Sequence, residues 1–599
     1  MMRNIIIFTL LLWSCVVQSQ SYHLPVGHNG YHIVDRFDIL SGGIDEIHTS
    51  LKYYTRKELS ALNDIDITLS QKDKADLFYL QVDNLGTWPA QENTYQGDYN
   101  ISKQFVDSSG VFYTLEEKSS TKKEVENPLT LKKGLLGYFY KTDANFYELH
   151  TENFNLYVNP ILNLNFGKDS DNDNLIFQNT RGIELSGDID QRAYFYTNIY
   201  ENQASFNDFH DARIQRFKTI PGQGLFKDFE SSVSENFKGY DFLNSMGYLG
   251  YNLSESISLE LGHGRHFIGN GYRSLLLSDN ATNMFYLKFI LNVWKFNYQT
   301  IFAELEATSP RNNIGDFLVP KKYMASHFLS FKPKKNIEIG FFETVVFSRE
   351  DHFEFQYLNP VIFYRTIEQA IGSPDNVMLG LNLKYNAFKQ FSFYGQFVLD
   401  EFLLSAIKDG SGWWANKYGA QIGLKYINMF NIDHLDGQVE YNVVRPYTYS
   451  HTDTIADLVI PVSLANYSHQ NQSLVHPLGS NFKELIFGLR YQPTQKLILN
   501  GRFILTQYGD ELDGSNWGGN ILKPSESKEQ EFGNTIGQGE NVDVQLIGLE
   551  ASYMFYHNYF LDLKLLLRSQ ESVLEQFSFE TNYVSFGLRV NTANLNIDY

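Results

Sequence analysis

"LDLKLLL", residues Leu561–Leu567, alternates with period two, so that Leu561, Leu563, Leu565 and Leu567 fall on one face of an extended chain and Asp562 and Lys564 on the other. "LNLNF" (Leu162–Phe166) does the same, with Leu162, Leu164 and Phe166 against Asn163 and Asn165. "RAYFYTNIY" (Arg192–Tyr200) sets Ala193, Phe195 and Ile199 against Arg192, Tyr194 and Asn198. One face of each strand suits lipid and the other suits water. A soluble sandwich also alternates, so the connections must separate the two readings.

Counting strands back from the C-terminus gives about eighteen, from 580–590 to 153–166. Their connections alternate in length. "HN", "QPTQ", "AFKQ" and "PKKN" are short, whereas Gly509–Asn541, Pro446–Ser480, Ser348–Asp375 and Ala307–Lys321 are long. Short turns at one end and long loops at the other are the pattern of a bacterial outer-membrane barrel, with the long set extracellular. Composition agrees: 15% of the 599 residues are aromatic, including 47 Phe and 39 Tyr, yet the net charge is −20 and the mean hydropathy −0.31. Aromatic girdles over a polar lumen give that mixture. No segment approaches the ~20 consecutive apolar residues of a membrane helix, and a chain without one crosses as a closed barrel, in which every backbone polar group is paired. The fold class is therefore all-β: a transmembrane antiparallel β-barrel with a small N-terminal helical portion.

Residues 1–19 read as a signal peptide, with Arg3 ahead of the apolar run Ile5–Trp13 and cleavage near Ser19. The one cysteine, Cys15, lies inside it, which leaves the mature chain without thiol chemistry. "LWSC" fits a lipoprotein signal poorly because of Trp13. Residues 20–152 form a periplasmic region of short helices and polar connection, and 153–599 form the barrel. In "TRKELSALNDID", Thr55 with Glu58 three residues on makes a capping box opening a short helix. "DSSGVFYTLEEKSSTKKEVENP" (Asp107–Pro128) reads as a polar connection. The helical piece is expected to plug the barrel or dock beneath it.

The site candidates gather in "GHGRHFIGNGYRSLLLSDNA" (Gly262–Ala281), whose glycines mark a shaped loop. It belongs to the long set, so it lies over the barrel mouth or folds into the lumen. His263 and His266 have only Glu260 as a close carboxylate and no third histidine, which is a poor metal set. "GHGRHFIGNG" lacks the Gly-Lys-Ser ending of a phosphate loop. Arg265 and Arg273, with Tyr272, either contact an acidic polysaccharide through charge-assisted hydrogen bonds or pair with lumen carboxylates. His266, Asp279 and Asn280 complete this group. Trp413 and Trp414 in "GSGWWANKYG" are either a sugar platform or part of the aromatic girdle. Asp400, Glu401 and the "REDHFE" run could serve a glycosidase only as two carboxyls facing across ~5–10 Å, and acidic loops are common in so acidic a chain.

Continued through "TNMFYLKF", the Gly262 stretch resembles the Wzi-type capsule assembly proteins, in which a Gly- and aromatic-rich segment leads into a Ser-Leu-Leu-Leu-Ser, Asn-Ala run, here Ser274–Ala281. "YLNPVIFYRTIEQAIGSPDNVMLGLNLKY" (Tyr357–Tyr385), "NYSHQNQSLVHPLGSNFKELIFGL" (Asn466–Leu489), "YHIVDRFDILSG" and "TRKELS" are similar to the same family. A departure is "RHFIGNG", where members carry tryptophans before a Gly-Pro-Gly. The resemblance implies an eighteen-stranded outer-membrane barrel with a periplasmic helical portion, acting as a lectin that holds capsular polysaccharide. Expected partners are surface or capsular polysaccharide, outer-membrane lipid and the barrel-insertion machinery, with no nucleic acid, cofactor, metal or catalysis, and a monomeric state. The alternatives are a porin lined by Asp562, Lys564, Arg192 and Tyr194, or a surface component of exopolysaccharide-dependent adhesion or gliding.

Overall fold

The computed structural model describes residues 21–599 apart from 26, 85–102, 107–111, 116–138, 141, 171–174, 191, 233–236, 308–318, 350–353, 362, 373–374, 452–463, 512–513, 574–577 and 594–596. The signal-peptide reading and most of the Asp107–Pro128 connection lie outside these residues. Eighteen antiparallel strands close on themselves. They are β1 Phe154–Asp169, β2 Leu175–Ile189, β3 Ala193–Ala204, β4 Lys238–Asn252, β5 Ile257–Gly264 and β6 Met284–Val293. Next come β7 Phe296–Glu306, β8 Lys321–Lys334, β9 Ile337–Phe347, β10 Asn376–Ala387, β11 Phe391–Glu401 and β12 Lys417–Tyr426. The series ends with β13 Leu435–Val444, β14 Phe482–Thr494, β15 Leu497–Asp510, β16 Glu540–Tyr556, β17 Tyr559–Ser572 and β18 Phe579–Val590. β18 pairs back onto β1, from Tyr583 opposite Asp169 to Val590 opposite Leu162, which leaves the sheet no free edge. Short strands, Tyr147–His150 and Lys227–Glu230, pair beside β1 and β4.

The alternation read from the sequence is the alternation of faces. Leu563 and Phe166 face lipid and are 53% and 48% exposed, while Asp562 and Asn163 are buried in the lumen. Arg192 is an exception among the expected lumen residues, because it stands exposed in the turn before β3. Tight turns such as 294–295, 335–336, 495–496 and 557–558 share one end of the barrel, and the long loops share the other.

From the short-turn end the lumen is filled by the N-terminal segment. It contains helix α1 (Gly30–Ser41), a 3-10 turn Glu58–Asp64 and helix α2 (Gln71–Asp83). The Thr55 and Glu58 pair makes both capping bonds, Thr55 N–H to Glu58 Oε2 at 2.8 Å and Glu58 N–H to Thr55 Oγ1 at 3.2 Å, although the element it opens is the 3-10 turn. Leu24, Ile33, Phe37, Leu59 and Leu80 pack with Ile498, Met554 and Phe560 of the wall. The other contacts are ion pairs and hydrogen bonds, because the wall presents its polar face inward. Arg36 reaches Asp436 at 2.6 Å and Asp73 at 3.0 Å, Lys425 reaches Asp35 at 2.6 Å, and Lys384 pairs with Asp38.

From the long-loop end, residues 265–283 descend into the lumen to meet this plug. Phe267–Ile268 pair with Leu51–Lys52 as a two-stranded ladder, and Gly269 N–H donates to Ser50 O at 2.7 Å. Gly269 has φ +147°, and a Cβ there would meet Gln396 Nε2 at 2.5 Å, so glycine is required at this close approach. Leu275, Leu276 and Leu277 are wholly buried at the centre of the lumen core, and the Tyr449 and Tyr467 hydroxyls donate to the carbonyls of Leu275 and Leu276 at 2.8 and 2.9 Å. The apolar triplet is thus a seam inside the barrel, and Gly262 and Gly264 belong to β5 rather than to the loop. Helix α3 (Asp208–Phe217) lies across the mouth, where Arg213 donates to Pro477 O at 2.7 Å and Arg216 pairs with Asp510 at 2.7 Å.

Candidate functional site

Between plug, inward loop and the wall of β1–β4 there remains a cavity of about 410 Å³. It runs from Pro25 and Gly27 of the plug up to Gly222 and Pro477 of the long loops. Strand alternation lines it with amides and hydroxyls: Asn163, Thr180, Asn198, Asn202 and Asn244 all occupy lumen positions. Tyr196, Tyr200 and Tyr599 add aromatic faces. Amide and hydroxyl groups around a few rings suit a sugar, whose hydroxyls need hydrogen-bond partners and whose C–H faces need apolar ones.

Five of the sequence candidates, Arg265, Tyr272, Arg273, Asp279 and Asn280, line this one cavity. Arg265 donates to Gly222 O at 3.2 Å and Asp279 O at 3.4 Å, and its buried Nε has no hydrogen-bond partner. Asn280 Nδ2 donates to Ser473 O at 3.0 Å, and its Oδ1 accepts from the Tyr599 hydroxyl at 3.1 Å. Arg273 is taken up by lumen carboxylates, Glu484 at 3.2 Å and Asp598 at 2.9 Å. Burial works against its charge, but these two carboxylates outweigh burial and hold the guanidinium firmly protonated.

The other three candidates lie elsewhere. His266 is buried edge-on to Tyr286, with ring centroids 4.4 Å apart, and burial draws its imidazole down to about 3. His263 is exposed and bonds to Ser245 O at 3.1 Å, so the two histidines do not converge. Trp413 and Trp414 are half-buried at the rim, outside the cavity lining. Both indole N–H groups donate to Glu531 Oε1, at 3.1 and 3.2 Å, and the Lys528 ammonium lies 4.6 Å from the Trp414 ring. The pair therefore ties the β11–β12 loop to the β15–β16 loop while leaving part of each ring open.

Sequence reasoning missed the wall asparagines and the C-terminal residues. The first carried a signal, since each sits at an inward position of a legible strand. Asp598 and Tyr599 carried none, because they follow the last strand and no periodicity places them.

Comparison with solved structures gives Wzi of Escherichia coli, an outer membrane protein involved in group 1 capsule assembly and a carbohydrate binding beta-barrel. It is similar at TM-score 0.54 and 12% identity, over 96% of this chain and 100% of that one. OprD of Pseudomonas aeruginosa and OccAB2 of Acinetobacter baumannii are both matched at TM-score 0.39 and 9% identity, over 72% and 73% of this chain and 94% and 97% of theirs. No curated protein sequence matches. The family model of the capsule assembly protein Wzi matches residues 178–559, more than half of the chain, and the chain belongs to that family.

Proposed function

We propose that this protein is a non-catalytic lectin of the bacterial outer membrane that holds capsular or a related surface polysaccharide at the cell surface. The long loops face outward and the plug faces the periplasm. The barrel works as a monomer in outer-membrane lipid, placed there by the barrel-insertion machinery. The observation that carries this reading is the filled lumen. Plug and inward loop are hydrogen-bonded to each other midway, and beside them lies an amide- and tyrosine-lined cavity. Family membership and the carbohydrate binding of Escherichia coli Wzi support it.

Each contact to a polymer is modest, about 0.5–1.5 kcal/mol for a hydrogen bond exchanged with water, so retention comes from many contacts along one chain. Cells lacking the protein are expected to make normal amounts of polysaccharide and to release it into the medium, measured as the cell-bound and free fractions. A normal coat on such cells, or cleavage of the polymer by the purified protein, overturns the reading.

A further inference from the structure

Residues 597–599 follow the last barrel strand, yet they lie in the lumen against α3, the inward loop and β15. Ile597 O accepts from His210 of α3 at 3.0 Å, and the Tyr599 ring lies 4.7 Å from the Arg213 guanidinium. Between them, Asp598 is 5% exposed; its Oδ2 accepts hydrogen bonds, whereas its Oδ1 meets Arg273 as an ion pair without a hydrogen bond. Arg273 Nη2 stands 2.9 Å from Oδ1, Arg502 Nη1 stands 2.8 Å from Oδ2, and the Tyr272 hydroxyl donates to Oδ2. The Tyr272 ring is itself set between two cations, with the Arg502 and Arg273 guanidinium carbons 4.4 and 4.9 Å from its centroid.

Charge bookkeeping makes Asp598 the odd member. Glu484 already pairs with Arg273 at 3.2 Å. Glu550, near Arg502, is the cross-strand partner of Lys564. Without Asp598 the half-buried Arg502 guanidinium loses the carboxylate it pairs with and the Tyr272 hydroxyl loses its acceptor, and both aim at the same point, which is a receptor for one carboxylate. Space adjoins it on both sides. Ile597 is a wall of the 410 Å³ cavity and of a second one of about 150 Å³, to which Arg502 and Asp598 belong. Residues 597–599 therefore divide one larger volume.

We infer that Tyr272, Arg273 and Arg502 form a subsite for the carboxylate of an acidic sugar residue, and that residues 597–599 occupy it as a built-in competitor, Asp598 standing where the sugar carboxylate binds. The ligand assignment rests on the polysaccharide-holding role. The guanidinium pair and the tyrosine hydroxyl are the specificity elements, while the neighbouring amides serve the sugar hydroxyls.

The test uses the full-length protein in detergent, with oligogalacturonate as the acidic probe and its methyl ester as the same backbone without charge. Asp598→Ala is expected to bind oligogalacturonate about 10-fold or more tighter than the intact protein, with no change for the ester. Adding Arg502→Gln should erase the gain. Asp598→Asn, which keeps the side-chain shape, should give a smaller gain, and heat-modifiable migration on gels reports whether each barrel is folded. An unchanged affinity in the folded variants, an equal gain for the ester, or a gain that survives Arg502→Gln overturns the subsite. Collapse of the barrel in both Asp598 variants also overturns it, since Asp598 is then a structural cross-link. If the acidic probe never binds while cells still hold their own polymer, the subsite falls and the polymer-holding role stands. If the probe behaves as expected but cells lacking the protein keep their coat, the role falls and the subsite stands.

Discussion

Arg36 ties two elements of the plug to the wall through charge. It is 1% exposed and holds Asp436 of the wall and Asp73 of α2 at once. Truncating it leaves two buried carboxylates without their cation, and loss of one partner of a buried pair costs on the order of 3–5 kcal/mol. Arg36→Ala should therefore destabilise plug docking by that order, read as a lower denaturant midpoint for protease accessibility, while Asp436→Asn, which keeps a hydrogen-bonding group, should cost less. The same residue explains why α1 was hard to read. "YHIVDRFDILSG" has charges at Asp35, Arg36 and Asp38 that spoil an amphipathic pattern judged against water. Those charges face a polar lumen wall, where Lys425, Asp436 and Lys384 meet them.

At the scale of elements, the plug has a pH window. His23 and His48 are buried and His28 and His32 half-buried in the lumen, and loss of water around them draws each down from the ordinary 6.5 to about 4 despite carboxylates such as Glu260, 3.4 Å from His23, and Asp83, 3.4 Å from His28. A plug released into water regains the ordinary value and takes up protons that the docked plug refuses. Docking is therefore at full strength above about pH 6.5 and weakens as pH falls from 6.5 towards 4. Asp35 and Asp83, held below the carboxylate range, add a further loss only at still lower pH. In planar bilayers the protein should show little steady conductance at pH 7, with openings that grow more frequent from pH 6 to about 4 and are fewer in a His28→Gln variant. Large ohmic channels at pH 7 would mean that the plug does not block.

The elements of the wall were legible because lipid and lumen impose a strict period of two, and because turns and loops separate the two ends. The β9–β10 loop was not. It folds back over the outside of the barrel as helix α4 (Tyr364–Ile371), burying Ala325, Val345 and Phe347 of the outward face. The Tyr364 hydroxyl bonds to His327 at 2.5 Å, and Arg365 N–H donates to Glu343 at 3.3 Å. His327 and Glu343 occupy outward positions where lipid would leave them unpaired, and that violation of the pattern was the available sign that something covers this wall. The candidate site was legible in part: "GYRSLLLSDNA" marked the loop that enters the lumen, but which partners its side chains meet depends on strands hundreds of residues away.

At the scale of the molecule, the two ends of the barrel make opposite claims on the cell. Because the sole cysteine is Cys15, single cysteines report orientation directly. Thr535→Cys, exposed among the long loops, should react with a membrane-impermeant maleimide on intact cells, whereas Lys389→Cys in the 388–390 turn should react only after the outer membrane is permeabilised. The reverse pattern would invert the protein and overturn the proposed role.

The ladder between Leu51–Lys52 and Phe267–Ile268 joins a segment rooted at one end of the barrel to a loop rooted at the other. In the proposed role, a long polymer held at the surface would be pulled by flow, and that drag would fall first on the loops. Through this ladder, and through Gly269 bonded to Ser50, tension is passed down the inside of the barrel to the helices below without crossing lipid. In the proposed role the plug would then take part of the load carried by the wall.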